Sequence, residues 1–359
     1  MNYRRYIQIA GIMLTVITVQ LLTYFTDTSY YLTQLTMSAY YSLVIIGLCL
    51  VMGYAGQISL GHAGFFAIGG YVSAFLTTYD LMPYKDHLLL SVFSKTGLLV
   101  LRHDLYGGQS LTVHSWVACI IAILLTIVIA YLIGGPVLKL KGHYLAMATL
   151  GFGIIIYAVV LGSAIFGEAD GLSDVPGFRF LPGLEISGNM SMRVQNYYIA
   201  WGLLIAGFVI LQNLVNSRVG RALRSIHGSE DASNAMGVDT ASYKLKTFVL
   251  SAAFAATAGI FITHYNGGIG PSEASVMKSV RYVAIVAIGG MANLAGTLTM
   301  GVLLNYLSLR GYFGSMDDAV FGGILIMIML FAPDGLMRLG IIGKVRRIYG
   351  RKDLEEEPR

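Results

Sequence analysis

Apolar runs of about 20 residues follow one another along this chain, each long enough to cross the hydrocarbon of a bilayer as a helix. Lipid offers no partner to a bare peptide group. The backbone must therefore close its hydrogen bonds within each run, or lie buried in protein. The chain is 56% hydrophobic and only 12% charged, with mean hydropathy +0.69. A soluble domain carries roughly twice that charge. The expected fold is an all-α polytopic membrane protein of about ten transmembrane or half-crossing helices. Spans are placed at 7–25, 31–52, 60–79, 114–138, 143–166, 197–215, 246–265, 280–292, 294–310 and 318–337. The eighth is too short for a regular crossing. The first resembles a signal sequence but lacks a small-x-small cleavage pattern, so it reads as a retained span.

The cations sort by side. With the N-terminus inside, Arg4, Arg5, Lys139, Lys141, Arg218, Arg221, Arg224, Lys244, Lys246 and the seven cations from Arg338 to Arg359 share one face, 16 of the 24 Lys and Arg. That asymmetry requires an even span count and two cytoplasmic termini. Tyr24, Tyr30, Tyr31, Trp116, Tyr197, Tyr198 and Trp201 fall at the opposite interface, where amphipathic rings settle. The net charge of +5 thus speaks of membrane orientation, and no nucleic acid partner is expected. The permease body is expected over 1–337, with a cytoplasmic loop at about 216–246. External loops lie at about 80–113 and 167–196, and a cytoplasmic tail at 338–359. The tail's basic part suits anionic headgroups and its acidic end reads as disordered.

One stretch breaks the apolar pattern. Gly53 to Tyr71 reads GYAGQISLGHAGFFAIGGY, glycine-rich and studded with Gln57, Ser59 and His62. Such a segment at membrane depth must be buried or line a polar cavity. Gln57, Ser59 and His62 are candidate path residues, with Gly56 and Gly61 letting the backbone bend. The plainer alternative is that the glycines only permit close packing and that His62 is a packing residue. A second Gly-rich stretch, 287–301, stands in the other half, as in transporters with paired interrupted helices.

Several chemistries are missing. All Asp and Glu fall outside the spans or at their edges, which disfavours a proton-coupled carrier. No G-x-x-x-x-G-K-[ST] loop is present to cradle phosphates, so any ATP must be bound by a separate subunit and no cofactor by this chain. H-E-x-x-H and G-x-S-x-G are absent, Cys49 and Cys119 are isolated within spans, and neither catalytic residues nor a metal site are expected. In the inner loop, Ser229 followed by Glu230 and Asp231 predicts a short helix over 230–236. Gly237 stops it, and Ala232, Ala235 and Met236 form a small apolar surface. Such a helix can dock on a motor domain, or be an ordinary surface helix.

The motifs carry a resemblance. Gly56, Gln57, Ser59, Leu60, Gly61 and His62 match the first signature of permease subunits of branched-chain amino acid ABC importers. LKGHYLAMATLGFG (140–153), ADGLSDVP (169–176), Gly289–Gly290 and Ala332–Asp334–Gly335–Leu336 resemble further family elements. The loop that contacts the ATPase in this family is matched through Gly220, Arg221, Ile226, Glu230, Ala232, Gly237, Lys244, Phe248, Ser251, Ala252, Ala255 and Gly259. The resemblance is closer to the LivM-type subunit than to its LivH-type partner. It implies a permease in a prokaryotic inner membrane, carrying branched-chain amino acids by alternating access. It also implies a paralogous permease, two ATP-binding subunits and an external solute-binding protein as partners. ATPase coupling would fall to Arg221, Glu230, Ala232 and Gly237, the alternative for Glu230 being that it caps its own helix instead of meeting the ATPase. Two departures stand out. Glu168 and Ala169 replace the usual glycines before Asp170, and the stretch Asp80 to His114 is long. Asp170 is a candidate contact for substrate or binding protein, or a solvated loop acid. Urea and short-amide importers share the family. A self-sufficient carrier or channel is the rival from another class.

Overall fold

The computed structural model describes residues 3–84, 98–103, 109–181 and 183–331. The tail 338–359, the Ala332–Leu336 motif and residues 85–97 and 104–108 of the long external loop lie outside them. Helices overlap the described parts of the expected spans: α1 (Tyr3–Phe25), α2 (Tyr31–Cys49), α3 (His62–Thr78), α4 (Ser115–Val137), α5 (His143–Gly162), α6 (Arg193–Asn216), α9 (Thr240–Asn266), α10 (Val276–Gly289), α11 (Leu294–Leu309) and α12 (Asp317–Phe331), residues 332–337 of the last span lying outside the described residues. Two short helices, α7 (Arg218–Gly228) and α8 (Glu230–Ala235), fill the loop between α6 and α9. Six stretches among the described residues are long and apolar enough to cross a membrane, including α2 extended by a π-helical turn over Leu50–Tyr54.

The bundle is not purely helical. Strands β1 (Leu99–His103) and β2 (Gln109–Val113) form one antiparallel hairpin, and β3 (Phe178–Leu181) and β4 (Leu184–Ile186) another. Both lie at one end, here the hairpin end; α7 and α8 mark the loop end. The strands are too short to show a clear alternation, and the spans around them dominate any pattern reading. They are held by the helix tips. Trp116 at the start of α4 donates to the Phe180 carbonyl at 3.2 Å, and Asn196 of α6 to that of Ser187 at 2.6 Å.

Helices α2, α3, α9 and α10 make the core, while α1, α4 and α5 turn large apolar side chains such as Leu14, Leu132 and Ile155 outward. A bilayer supplies little hydrophobic drive for helix association, so close approach carries the packing. Helices α3 and α9 come so close that a Cβ on Gly259 would strike the Phe66 carbonyl.

Candidate functional site

The chain leaves helical geometry between Tyr54 and His62, where Gly56 and Ile58 are exposed and Gln57, Ser59 and His62 are buried. Gly56 takes a left-handed φ of 69° and begins the turn back. By Leu60 the chain lies against α5, whose Thr149 hydroxyl accepts from the Leu60 N–H at 3.0 Å. The Ala63 N–H donates to Ser279 of α10 at 3.2 Å. The approach to α3 and its first turn thus take hydroxyls from two other helices, which satisfy backbone groups the helix start leaves unpaired.

His62 is the hub. Its Nδ1 meets the Ser59 hydroxyl at 3.1 Å and its Nε2 the Ser251 hydroxyl of α9 at 2.7 Å. Phe65 and Phe248 pack edge-on around the ring. Both nitrogens are occupied by serines, so the ring pins α3 to α9, and the Ser59–His62 pair has no carboxylate to orient it. Gln57 is different. It is 2% exposed, and neither amide atom has a partner among the described residues. A buried amide left unpaired costs about 1–3 kcal/mol.

The second Gly-rich stretch comes to the first. Residues 290–293 interrupt the path from α10 to α11 and lie on the π-helical end of α2. The Tyr54 hydroxyl donates to the Ala292 carbonyl at 2.8 Å and the Cys49 thiol to that of Met291 at 3.3 Å. A Cβ on Gly53 would land on the Met291 carbonyl oxygen, so only glycine permits this approach. The two interruptions are 240 residues apart in sequence at their Gly53 and Asn293 ends, and they touch. A cavity of about 370 Å³ opens beside them, lined by Tyr54, Asn216, Arg224, Ala292 and Asn293. A wider groove of about 920 Å³ along α4 and α9 is apolar at Ile127, Leu245 and Val249 and polar at Lys139, Asp239 and Lys246.

The loop helices lean on this junction. Arg224 of α7 lies over the Tyr54 ring at 5.8 Å, and the backbone of Gly56 packs against His227. Helix α8 runs 230–235. The Ser229 hydroxyl accepts from the Ala232 N–H at 3.3 Å, and Gly237 ends the turn at φ 82°. Glu230 turns inward, bonded to Lys244 of α9 at 2.5 Å, and Thr240 donates to it at 3.4 Å. Arg221, Ala232, Gly237 and Met236 are exposed, Met236 at 73%. The structure thus gathers Gln57, Ser59, His62, Gly56 and Gly61 in one place, with the loop residues adjoining. Asp170 stands apart. It is exposed at the hairpin end, where Leu172 pairs with Ile269 through backbone bonds of 3.0 and 2.8 Å.

A further cluster has no signature in the sequence. Lys278 donates to both Glu273 oxygens at 3.0 and 3.2 Å, and Tyr41 to Glu273 at 3.0 Å. Arg281, one turn on, meets Asp317 and Asp318 of α12 at 3.3 and 3.1 Å. These charges sit at span edges, where a sequence reading takes them for interface residues.

Residues 30–331 match the model of a family described as branched-chain amino acid transport system / permease component. The chain belongs to that family. It is 29% identical over 323 residues to the high-affinity branched-chain amino acid transport permease protein LivM of Salmonella typhimurium, covering 84% of this chain and 68% of the relative. The LivM protein of Escherichia coli K12 gives the same identity and coverage. BraD of Pseudomonas aeruginosa is 25% identical over 87% of this chain and 95% of its own, and E. coli LivH is 24% identical over 88% and 98%. No solved structure matches. This permease is a multi-pass membrane protein, and its family motifs now have a physical reason to occur together. The first signature supplies His62 and the loop segment supplies its partner Ser251, while LKGHYLAMATLGFG supplies Thr149.

Proposed function

We propose that this chain is a permease subunit of an ATP-binding-cassette importer, moving branched-chain amino acids inward by alternating access. The observation that carries the reading is the contact between the α7–α8 loop and the interrupted helices. Motion of a helix docked on an ATP-binding subunit would pass through Arg224 and His227 to Tyr54 and Gly56, and from Tyr54 to Ala292. No charge need move through lipid. On this reading the loop end faces the cytoplasm, with both termini, and ten helices cross or half-cross the inner membrane. A paralogous permease completes the path, two ATP-binding subunits drive it, and an external binding protein delivers solute to the hairpin end. Gln57, with its unpaired amide, is the path residue of the first signature. Ser59 and His62 fix its surroundings, and Gly56 and Gly61 shape the turn. Arg221, Ala232 and Gly237 present the coupling surface, which Glu230 supports from behind. Asp170 belongs to the docking face.

The test is ATPase activity of the reconstituted transporter with binding protein loaded with leucine, loaded with urea, or absent. Stimulation by the leucine-loaded protein, abolished by Gly237→Pro, is the expected result. Stimulation by the urea-loaded protein alone would keep the mechanism and replace the solute.

A further inference from the structure

The ion pair Glu273–Lys278 closes at 3.0 Å. It stands at the hairpin end of the core, where the turn over Pro271–Ala274 leads into α10. Both side chains are partly enclosed, 20% and 23% exposed. Tyr41 of α2 lies beneath, its hydroxyl bonded to Glu273 and the Lys278 ammonium 4.5 Å from its ring centroid. Tyr41 in turn stacks on Phe66 at 5.8 Å and faces Tyr282 at 6.4 Å. Tyr282 is four residues after Lys278 and so on the same face of α10, one turn deeper. Its ring is 1% exposed, and its hydroxyl has no partner among the described residues.

We propose that Glu273, Lys278, Tyr41 and Tyr282 form a recognition site for the zwitterionic end of a free α-amino acid on its way into the bundle. The inference rests on the importer reading above and adds the residues that meet the charged end of the solute. One anion and one cation, side by side, match a ligand carrying one charge of each sign. The α-ammonium replaces Lys278 on Glu273, and the α-carboxylate takes the Lys278 ammonium and the Tyr282 hydroxyl. The exchange leaves net charge unchanged, so it avoids the large cost of an unpaired charge in an enclosed site. It also satisfies a buried hydroxyl that otherwise goes without a bond. Phe66, Tyr41 and Tyr282 pack on one another beneath the pair and give the site an apolar floor. A neutral amide such as urea brings no charge to either member and leaves the pair closed.

The test is ATP-dependent uptake of radiolabelled L-leucine by the complete transporter in vesicles, per assembled complex. Glu273→Gln, Lys278→Met and the double variant are compared. Wild-type uptake is the reference, and its absence would fail the importer reading itself. With wild type active, each single variant should lose about 10-fold or more, as expected for removing a charged partner from an enclosed site. The double variant should do no better than the worse single one. If the pair were only a structural tie, removing both charges would relieve the stranded partner, and the double variant would recover toward wild type. That recovery would overturn the proposal and leave the importer intact. Should the single variants fail to assemble, Tyr282→Phe decides. It removes one unpartnered hydroxyl and no packing, and should lower leucine uptake by roughly 3-fold or more. Unchanged uptake in Tyr282→Phe would overturn the proposal.

Discussion

Among the described residues two Lys–Glu pairs flank the core, one at each end, and their surroundings give them different work. At the loop end, Glu230 and Lys244 are 25% and 8% exposed, and Thr240 closes the third side. This pair ties α8 to the start of α9. At the hairpin end, Glu273 and Lys278 are ringed by tyrosines, one with a free hydroxyl, and are about equally open to solvent. Identical chemistry serves as a rivet in one place and as a receptor in the other. What differs is whether the neighbours leave unused hydrogen-bonding capacity.

The largest expected effect is at the rivet. Glu230→Lys sets two ammonium groups together in an enclosed site and should abolish ATP-driven leucine uptake. Exchanging both residues, Glu230→Lys with Lys244→Glu, should restore much of it. Breaking such a pair by losing one partner costs about 3–5 kcal/mol. Failure of the exchange to restore uptake would show that Glu230 itself meets a partner subunit. Next comes the junction both ends depend on. Gly53→Ala drives a methyl into the Met291 carbonyl, which only a backbone shift can relieve. Thermal unfolding in detergent should report a loss of about 2–4 kcal/mol. Tyr54→Phe removes a single bond to Ala292 and should cost about 1 kcal/mol by the same measurement, with a larger loss of coupling between ATP hydrolysis and uptake. The smallest effects belong to two exposed pairs that act as controls. Lys141 with Asp231, at 66% and 87% exposed, and Arg102 with Asp174, at 35% and 83%, meet at 3.3 and 3.4 Å. Asp231→Ala and Arg102→Ala should change stability by under about 1 kcal/mol, because water screens such pairs. An effect of Asp231→Ala on uptake without one on stability would place Asp231 in the contact with the motor.

Much of the helical frame was legible, because a span announces itself by composition alone. The boundaries of α8 were legible too. Ser229, Glu230 and Gly237 are local signals, and the structure uses Ser229 as the cap and Gly237 as the stop. The bend around Gln57 could be anticipated because glycines and polar groups cannot sit bare in lipid. What touches the bend could not. Met291 and Ala292 lie some 240 positions away from Gly53 and Tyr54, and no periodicity links them. The inward turn of Glu230 was invisible for the same reason, since its partner Lys244 stands across a loop. The Glu273–Lys278–Tyr41 cluster hid behind its setting. Charges just outside an apolar run look like interface residues until a tyrosine from another helix arrives beneath them.

The central claim is that this chain moves amino acids only when a motor moves its loop. The direct measurement is uptake of radiolabelled leucine into vesicles holding this chain alone, or this chain with its partner permease, ATP-binding subunits and loaded binding protein, with and without ATP. The account predicts uptake in the complete set with ATP and none in the other cases. Leucine uptake by the chain alone, without ATP, would contradict it.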